Sequence, residues 1–524
     1  MEETTMDRRR RALLKGAAAF TALPWIDPAF AHAQERKVLI VVSQNDISNF
    51  DPHAGSDDAT LMLWRNTYDA LLRFEGNPPK LMPNLASSWE VSDDERTFVF
   101  HLDPNARFHD GSPVDAEAVC YSFERLLRLR KGSAWMIAGI VEPKGVEAVD
   151  ERTVRFTLKK SFAPFLHVLP WLFVVNPRLV EANKGNDDGQ TFLRSTIAGS
   201  GPFRLRRAEP SNLYELERVR DGWHKGGGNL DRAVWKIVRE TSIQRLMVEH
   251  GDAHVAVNLS SDDMLSVKRH PHVVSVIEPE YLLFLLRLNT KHGPFTDVNL
   301  RKAVSYALDY QGMLDESGFA KLSVGPIPAG MKGFDSTLPV YRTDLVKARE
   351  YLARTPYANG GLKLTMTHIS GHEQERRWSL VLLDSLRRLG IDLEIHQSTW
   401  PDIVAAARTP QTCPDILAVF AGADYDDPDD MAFNFYHSSR NGNWANPTYA
   451  DPEVDRIIME ARSEANESRR AALYAQFQRK VVGEAPDLWV VTTYRKLALR
   501  ANVGGFVFTP LRPAALDLLP LSVT

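Results

Sequence analysis

The strongest constraint on the fold is a stretch of changing periodicity between residues 362 and 420. "LKLTMTHI" alternates apolar and polar side chains, the pattern of a strand buried on one face. Trp378, Val381, Leu382, Ser385, Leu386 and Leu389 then recur at helical spacing, and Gly390 is placed to end that helix. "IDLEI" returns to alternation, "WPDIVAAAR" is helical again, and "PDILAVF" supplies another strand. Strands alternating with helices predict a mostly parallel, doubly wound α/β sheet. Sheets of that kind bind ligands outside the carboxyl ends of their strands. The loop that follows "ILAVF" is "GADYDDPDD", so a run of aspartates stands where a ligand is expected.

Most of that negative charge has a local explanation. Asp427 is placed as a helix N-cap, Pro428 suits the first helical position, and Asp429 and Asp430 favour the positive end of the helix dipole. A calcium loop of the EF-hand type fails, because counting from Asp424 puts Pro428 fifth and Asp429 sixth, where a glycine is required. Asp424 and Asp426 remain for other work. Phosphate-loop, dinucleotide, nucleophile-elbow and zinc-protease signatures are absent. His250 with His254, and His368 with His372, sit in turn-like contexts without a third ligand nearby, so no metal or cofactor is implied.

Elsewhere the chain reads as a soluble globular protein of two or three lobes, with 44% hydrophobic and 25% charged residues over 524 positions. Lys plus Arg (63) nearly balances Asp plus Glu (67), which excludes a basic field for nucleic acid. "RKVLIVVSQND" reads as a buried strand, and Trp64, Tyr68, Leu71 and Leu72 as one face of a helix. "RTFVFHL" and "VEAVDERTVRFTL" predict antiparallel strands; between them Asp115 caps a helix striped by Val119, Phe123, Leu126 and Leu127. Cys120 and Cys413 read as buried apolar side chains rather than a disulfide. Residues 1–33 read as an export signal: Arg10 and Arg11 resemble a twin-arginine start, Ala31-His32-Ala33 a cleavage site, and the absence of cysteine excludes a lipid anchor. No later apolar run is long enough to span a bilayer.

Several stretches taken in order carry a resemblance. "NFDPHAGSDDATLMLWRNTYDALLRF", "LMPNLASSWEVSDDERTFVFHLDPNARFHDGSPVDAEAVCYSFERLL", "GSGPFRL", "LRLNTKHGPFTDVNLRKAVSYALD", "GPIPAG" and "ADYDDPDD" resemble the family 5 solute-binding proteins, receptors of ABC importers, from about Val38 to the C-terminus. The resemblance implies an α/β, bilobed periplasmic-binding-protein fold of type II with an extra subdomain, mixed sheets flanked by helices and a two-crossing hinge. Lobe I would combine residues 36–60, 196–287 and 490–524; the extra subdomain would be 61–195 and lobe II 288–489. The crossings would lie near Leu286 to Thr290 and Trp489 to Tyr494.

It also implies a site. Asp424 would take a ligand's ammonium, Trp400 would line the pocket, and Arg377, or its neighbour Arg376, would reach a carboxylate. Tyr494 would form wall beside the second crossing, and Tyr425 would shape the acidic loop. Many peptide-binding members have a tryptophan three residues before the aspartate; Ala421 here implies a reshaped pocket. The partners implied are a peptide or small solute and inner-membrane permease subunits, with the receptor a monomer. Opine, oligosaccharide and nickel-chelate receptors belong to the same family, and a secreted hydrolase using the loop carboxylates is the alternative of another class.

Overall fold

The computed structural model describes residues 36–524 apart from Ser56 and residues 513–515. The expected export signal, with its cut near Ala33, lies outside the described residues. One sheet contains eleven strands: β1 (Val38–Ser43), β2 (Phe203–Glu209), β3 (Leu213–Arg218), β4 (Arg232–Ile237), β5 (Val255–Val257), β6 (Val273–Leu288), β7 (Ala320–Leu322), β8 (Lys363–Ile369), β9 (Asp392–Ser398), β10 (Ile416–Gly422) and β11 (Asp487–Arg500). Their order in space is β2-β3-β4-β1-β5-β11-β6-β10-β8-β9, with β7 attached to β11. The helices that matter below are α1 (Asp58–Thr67), α2 (Ala116–Leu129), α3 (Glu373–Arg387), α4 (Trp400–Ala406), α5 (Pro428–Tyr436), α6 (Pro452–Ser463) and α7 (Glu467–Glu484).

The 362–420 unit forms as its periodicity predicts. Along β8, Leu364, Met366 and His368 are buried and their neighbours are not. On α3, Trp378, Leu382, Ser385 and Leu386 face the sheet; the Trp378 indole stacks on Phe284 of β6 with centroids 3.9 Å apart and donates to the Met313 carbonyl at 3.0 Å. Gly390 turns the chain with φ of 70°, a left-handed conformation that costs glycine little.

The sheet as a whole is mixed rather than mostly parallel. Among the described residues, parallel ladders are confined to β1 with β4 and β5, and to β8 with β9 and β10. Each half builds its own helical crossovers, and the halves are joined by antiparallel pairings of β5 with β11, β11 with β6, and β6 with β10. The β6–β11 ladder runs from Val273 to Pro279, breaks, and resumes at Leu283. From Leu282 onward β6 also pairs with β10, while β11 pairs with β7 through Thr493 and with β5 from Leu497. The sheet therefore changes neighbours at Pro279–Leu283 and Thr493–Leu497. Leu286, the start of one expected crossing, lies beyond that switch and already pairs with Ala418 and Leu488.

Another expectation needs correction. Helix α1 stops at Thr67 and Tyr68 is already extended (φ −124°, ψ 166°), so Leu71 and Leu72 follow the helix rather than share its face. All four apolar residues of that reading are buried, which explains the ambiguity: a short run buried on every side carries no period. A separate four-stranded antiparallel sheet holds the predicted 97–102 and 141–158 strands. Asp115 caps α2 by accepting from the Ala118 N–H at 2.9 Å, and Phe123 packs edge-on against Phe156 of that sheet at 4.7 Å. Cys120 and Cys413 are free and buried.

Residues 61–198 share one continuous core with residues 417–482, so Trp64, Phe100 and Trp171 belong to the same apolar cluster as Tyr425, Phe435 and Tyr474. The first strand's segment is tied to α2 by a fully buried ion pair: Arg125 Nη1 and Nη2 donate to Asp51 Oδ1 and Oδ2 at 2.9 and 2.7 Å. Its Nε donates to the Asp188 carbonyl at 2.8 Å. His53 Nδ1 lies 3.0 Å from Arg125 Nη1, and burial with the adjacent guanidinium drives the imidazole down to about 4, so it is neutral and accepts. Removing one partner leaves the other charge buried and uncompensated. Arg125→Ala is expected to cost about 3–5 kcal/mol in urea unfolding; a loss under about 1 kcal/mol, the size of a surface pair, would mean that the pair does not hold these segments together.

Candidate functional site

The acidic loop leaves β10 at Gly422 and enters α5 at Asp427, whose side chain caps the helix by accepting from the Asp429 N–H at 2.9 Å. Ala423 N–H donates to the Tyr281 carbonyl at 2.8 Å, which fixes the loop to the break in β6. The helix-dipole reading of the aspartates captures only part of their chemistry. Asp429 and Asp430 are fully buried, and Asp427 nearly so.

Four of the five loop carboxylates have distinct partners, and Asp426 is the exception. Asp427 is bracketed by Arg470 of α7 at 2.6 and 2.8 Å. Asp429 faces Arg462 of α6 at 3.3 Å and accepts the Tyr425 hydroxyl at 2.9 Å. Asp430 accepts the backbone N–H groups of Asp424 and Tyr425. Asp424 is paired with Arg512 of the C-terminal segment at 2.9 Å. Burial, with the neighbouring Asp424 charge, pushes Asp430 well above the carboxylate range; burial also raises Asp429, and Asp426 is pushed up to about 6 by burial and the Asp427 charge. Asp426 Oδ1 is buried without a protein partner.

Aromatic groups close over the loop. The Trp171 indole N–H donates to the Asp424 carbonyl, and the Trp135 ring lies 6.5 Å from that of Tyr425, which is fully buried. Arg440 lies over the Trp135 ring at 5.0 Å and donates to Asn434 Oδ1 at 3.1 Å. Trp400, at the start of α4, is 40% exposed and meets Trp444 edge-on at 5.1 Å; Trp444 in turn contacts Phe435 of α5 at 6.0 Å.

The expected residues thus fall into separate places. Asp424 and Tyr425 share the loop, and Trp400 reaches α5 through Trp444. Tyr494 is half-buried at the β6–β11 crossing, opposite Pro279. Arg376 is exposed on α3 and Arg377 is half-buried, its Nε enclosed without a hydrogen-bond partner; acids stand near both, Arg376 with Glu373 at 2.7 Å, Arg377 with Glu316 at 3.7 Å and Glu373 at 3.9 Å. Sequence reasoning missed Trp171, Trp135, Arg440, Arg462, Arg470 and Arg512. Arg470 and Arg462 carried a local signal, since they fall on the helical stripes of Tyr474, Phe477 and Val481 and of Val454 and Ile458, where a charge demands a partner. Among the described residues there is no cluster of three or more His, Cys, Asp or Glu able to hold a metal, and no helix long and apolar enough to cross a membrane.

The chain as a whole is similar to known proteins. The family model of the bacterial extracellular solute-binding proteins, family 5 Middle, matches residues 80–443. The probable D,D-dipeptide-binding periplasmic protein of Escherichia coli (strain K12) is 30% identical over 94% of this chain and 96% of its own length. Heme-binding protein A of Haemophilus influenzae is 26% identical over 85% of each chain. Among solved structures, the periplasmic binding protein DppA of Helicobacter pylori in complex with the peptide STSA superposes with a TM-score of 0.83 at 24% identity, covering 94% of this chain and 99% of that one. The chain belongs to the bacterial extracellular solute-binding proteins, family 5. It is the substrate-binding component of an ABC importer, with the bilobed fold of that class, and not an enzyme.

The N-terminus of α3 carries a further titratable group. Glu375 is fully buried; Oε2 accepts from the Ile369 N–H at 2.8 Å, Oε1 has no protein partner, and His372 Nδ1 stands 3.8 Å away. Burial pushes its carboxyl up to about 7. The folded state therefore binds this proton more tightly than the unfolded chain, so the contribution to stability is full below the ordinary glutamate value and is lost as pH rises toward 7. Glu375→Gln is expected to remove a decline on the order of 3 kcal/mol between acid and neutral pH, read from urea midpoints across that range; an unchanged pH profile would show that Glu375 is ionised in the fold.

Proposed function

We propose that this receptor captures a peptide or related amino-acid derivative with a free amine between its lobes in the periplasm, and hands it to permease subunits in the inner membrane. The observation that carries the reading is the position of Asp424: it follows the carboxyl end of β10, is 7% exposed, and is held by Trp171 through its own carbonyl. A carboxylate so fixed offers a charge-assisted bond to an ammonium that loses its water on closure. Trp400 and Tyr494 serve as pocket wall, and Tyr425 holds the loop through Asp429. Relatives named for dipeptides, di/tripeptides and glutathione support this ligand class. The neighbour solved with agropinic acid, at 21% identity, supports the fold alone. Export by the twin-arginine route, cleavage near Ala33 and action as a monomer belong to the same reading.

The test uses native mass spectrometry with a dipeptide library offered with free amino termini and, separately, N-acetylated. Wild-type protein is expected to retain members of the free-amine library and to bind acetylated ones at least tenfold more weakly, about 1.4 kcal/mol. Asp424→Asn is expected to erase that difference. Equal retention of the acetylated library, or an Asp424→Asn variant that still discriminates, would remove the ammonium role.

A further inference from the structure

The ammonium-binding carboxylate proposed above is paired with a cation of the protein itself. Arg512 Nη1 lies 2.9 Å from Asp424 Oδ1, and the two side chains are only 21% and 10% exposed. An exposed, incidental contact would not look like this, because the rest of the structure is shaped to admit the arginine. A methyl group at Gly422 would stand 2.7 Å from Arg512 Cδ and 2.9 Å from Leu282 Cδ1. Gly422 is not among the glycines with positive φ, so its backbone does not demand glycine; the crowding comes from the stem of Arg512 together with Leu282. The segment that carries Arg512 is anchored on both sides. Pro510 accepts the Tyr281 N–H at 3.0 Å at the break in β6, and Leu516 and Leu518 are buried in the core that contains Leu39 and Val41 of β1. The ion pair thus joins the C-terminal segment, packed on the β1 half of the sheet, to the loop that leaves β10.

The local charge balance decides what ligand such a pair suits. Asp427 is matched by Arg470 and Asp429 by Arg462, and Asp430 is held by backbone N–H groups. Arg440 adds a cation that, among the described residues, has no carboxylate within ion-pair distance: its contacts are the Asn434 amide and the Trp135 ring, and its Nε is buried without a partner. Asp426, whose Oδ1 is likewise buried without a protein partner, is among the described residues the loop's one unpaired carboxylate, so Arg440 and Asp426 offset each other in the sum of charge. With Arg512 already balancing Asp424, a ligand that brings only an ammonium adds an unmatched positive charge to an enclosed site. One that brings a carboxylate as well leaves the charge unchanged, and the expense of burying unbalanced charge favours it. Arg376 is held by Glu373 at 2.7 Å and Arg377 stands 3.7 Å from Glu316, so each of these arginines already faces an acid of the protein.

We infer that Arg512, seated against Gly422, is a specificity-determining residue: it is the counter-charge of Asp424 and receives the anionic end of a zwitterionic ligand, so that lone amines are discriminated against. The inference rests on the role proposed for Asp424, and its test reads the other end of the ligand. The same dipeptide library is offered as free acids and as C-terminal amides, with retention measured by native mass spectrometry. Wild-type protein is expected to favour free acids at least tenfold. Arg512→Gln is expected to bring acids and amides within about twofold, a margin far below the tenfold that one unit of 1.4 kcal/mol represents, while Arg512→Lys keeps part of the preference. Gly422→Ala, which leaves Arg512 present but unseated, is expected to lose the preference as Arg512→Gln does. Persistence of the preference in both Arg512→Gln and Gly422→Ala overturns the inference. So does equal retention of acids and amides by wild-type protein that still selects free amines, a result that leaves the Asp424 reading standing; retention of neither library overturns both.

Discussion

The antiparallel pairing of β6 with β11 is the constraint on which the rest of the structure depends. These two strands alone carry the sheet from the β1 half to the β8 half, and their ladder is interrupted between Pro279 and Leu283. Proline has no N–H to give, so a continuous ladder is impossible there. Other bonds bridge the gap: the Glu280 carboxylate accepts Arg495 Nε at 2.6 Å and the Thr493 hydroxyl at 3.0 Å, and the Tyr281 backbone N–H turns to Pro510. Beyond the break, Arg287 and Asp487 lock the strands again at 2.9 and 3.1 Å. A short compliant step between two rigid ladders is the place where rotation of one half against the other is absorbed with least disruption, which is what a receptor that closes on its solute requires.

The same break positions the site. Tyr281 accepts from Ala423 at the root of the acidic loop and donates to Pro510 at the root of the Arg512 segment, so one residue of the crossing holds both halves of the Asp424–Arg512 pair. Burying this many carboxylates in one loop is costly unless each is paired or protonated. Arg462 and Arg470 meet that cost for Asp429 and Asp427, and backbone N–H groups with a retained proton meet it for Asp430. Asp426 alone, with Oδ1 buried and unpartnered, stands outside these pairings, so most of the loop's negative charge is matched within the protein. Selectivity then depends on whether an incoming solute preserves the balance, a property that neither the aspartate count nor the net charge of −4 conveys.

Local order was legible in the chain. The alternation of "LKLTMTHI", the stripe of Trp378, Leu382 and Leu386, and the caps at Asp115 and Asp427 all appear as read, because the interactions that produce them span no more than a few residues. The reading failed where burial was complete. Around Tyr68 and Leu72 every side chain is apolar and enclosed, so no period separated the end of a helix from the start of a strand. It failed again for the sheet as a whole, since the β8–β10 unit is parallel within itself but its neighbour β6 comes from a distant part of the chain.

By itself the sequence determined the α/β character of the chain, its family, the position of the acidic loop after a strand end and the start of α5. Tertiary structure alone decided which charges meet. Arg470 lies 43 residues from Asp427 and Arg512 lies 88 from Asp424. The apolar stripe around Arg470 marks it as buried but does not name its partner, and nothing local marks Arg512. Their partners follow from how α7 and the C-terminal segment pack, and the low-dielectric surroundings created by that packing make the pairings consequential.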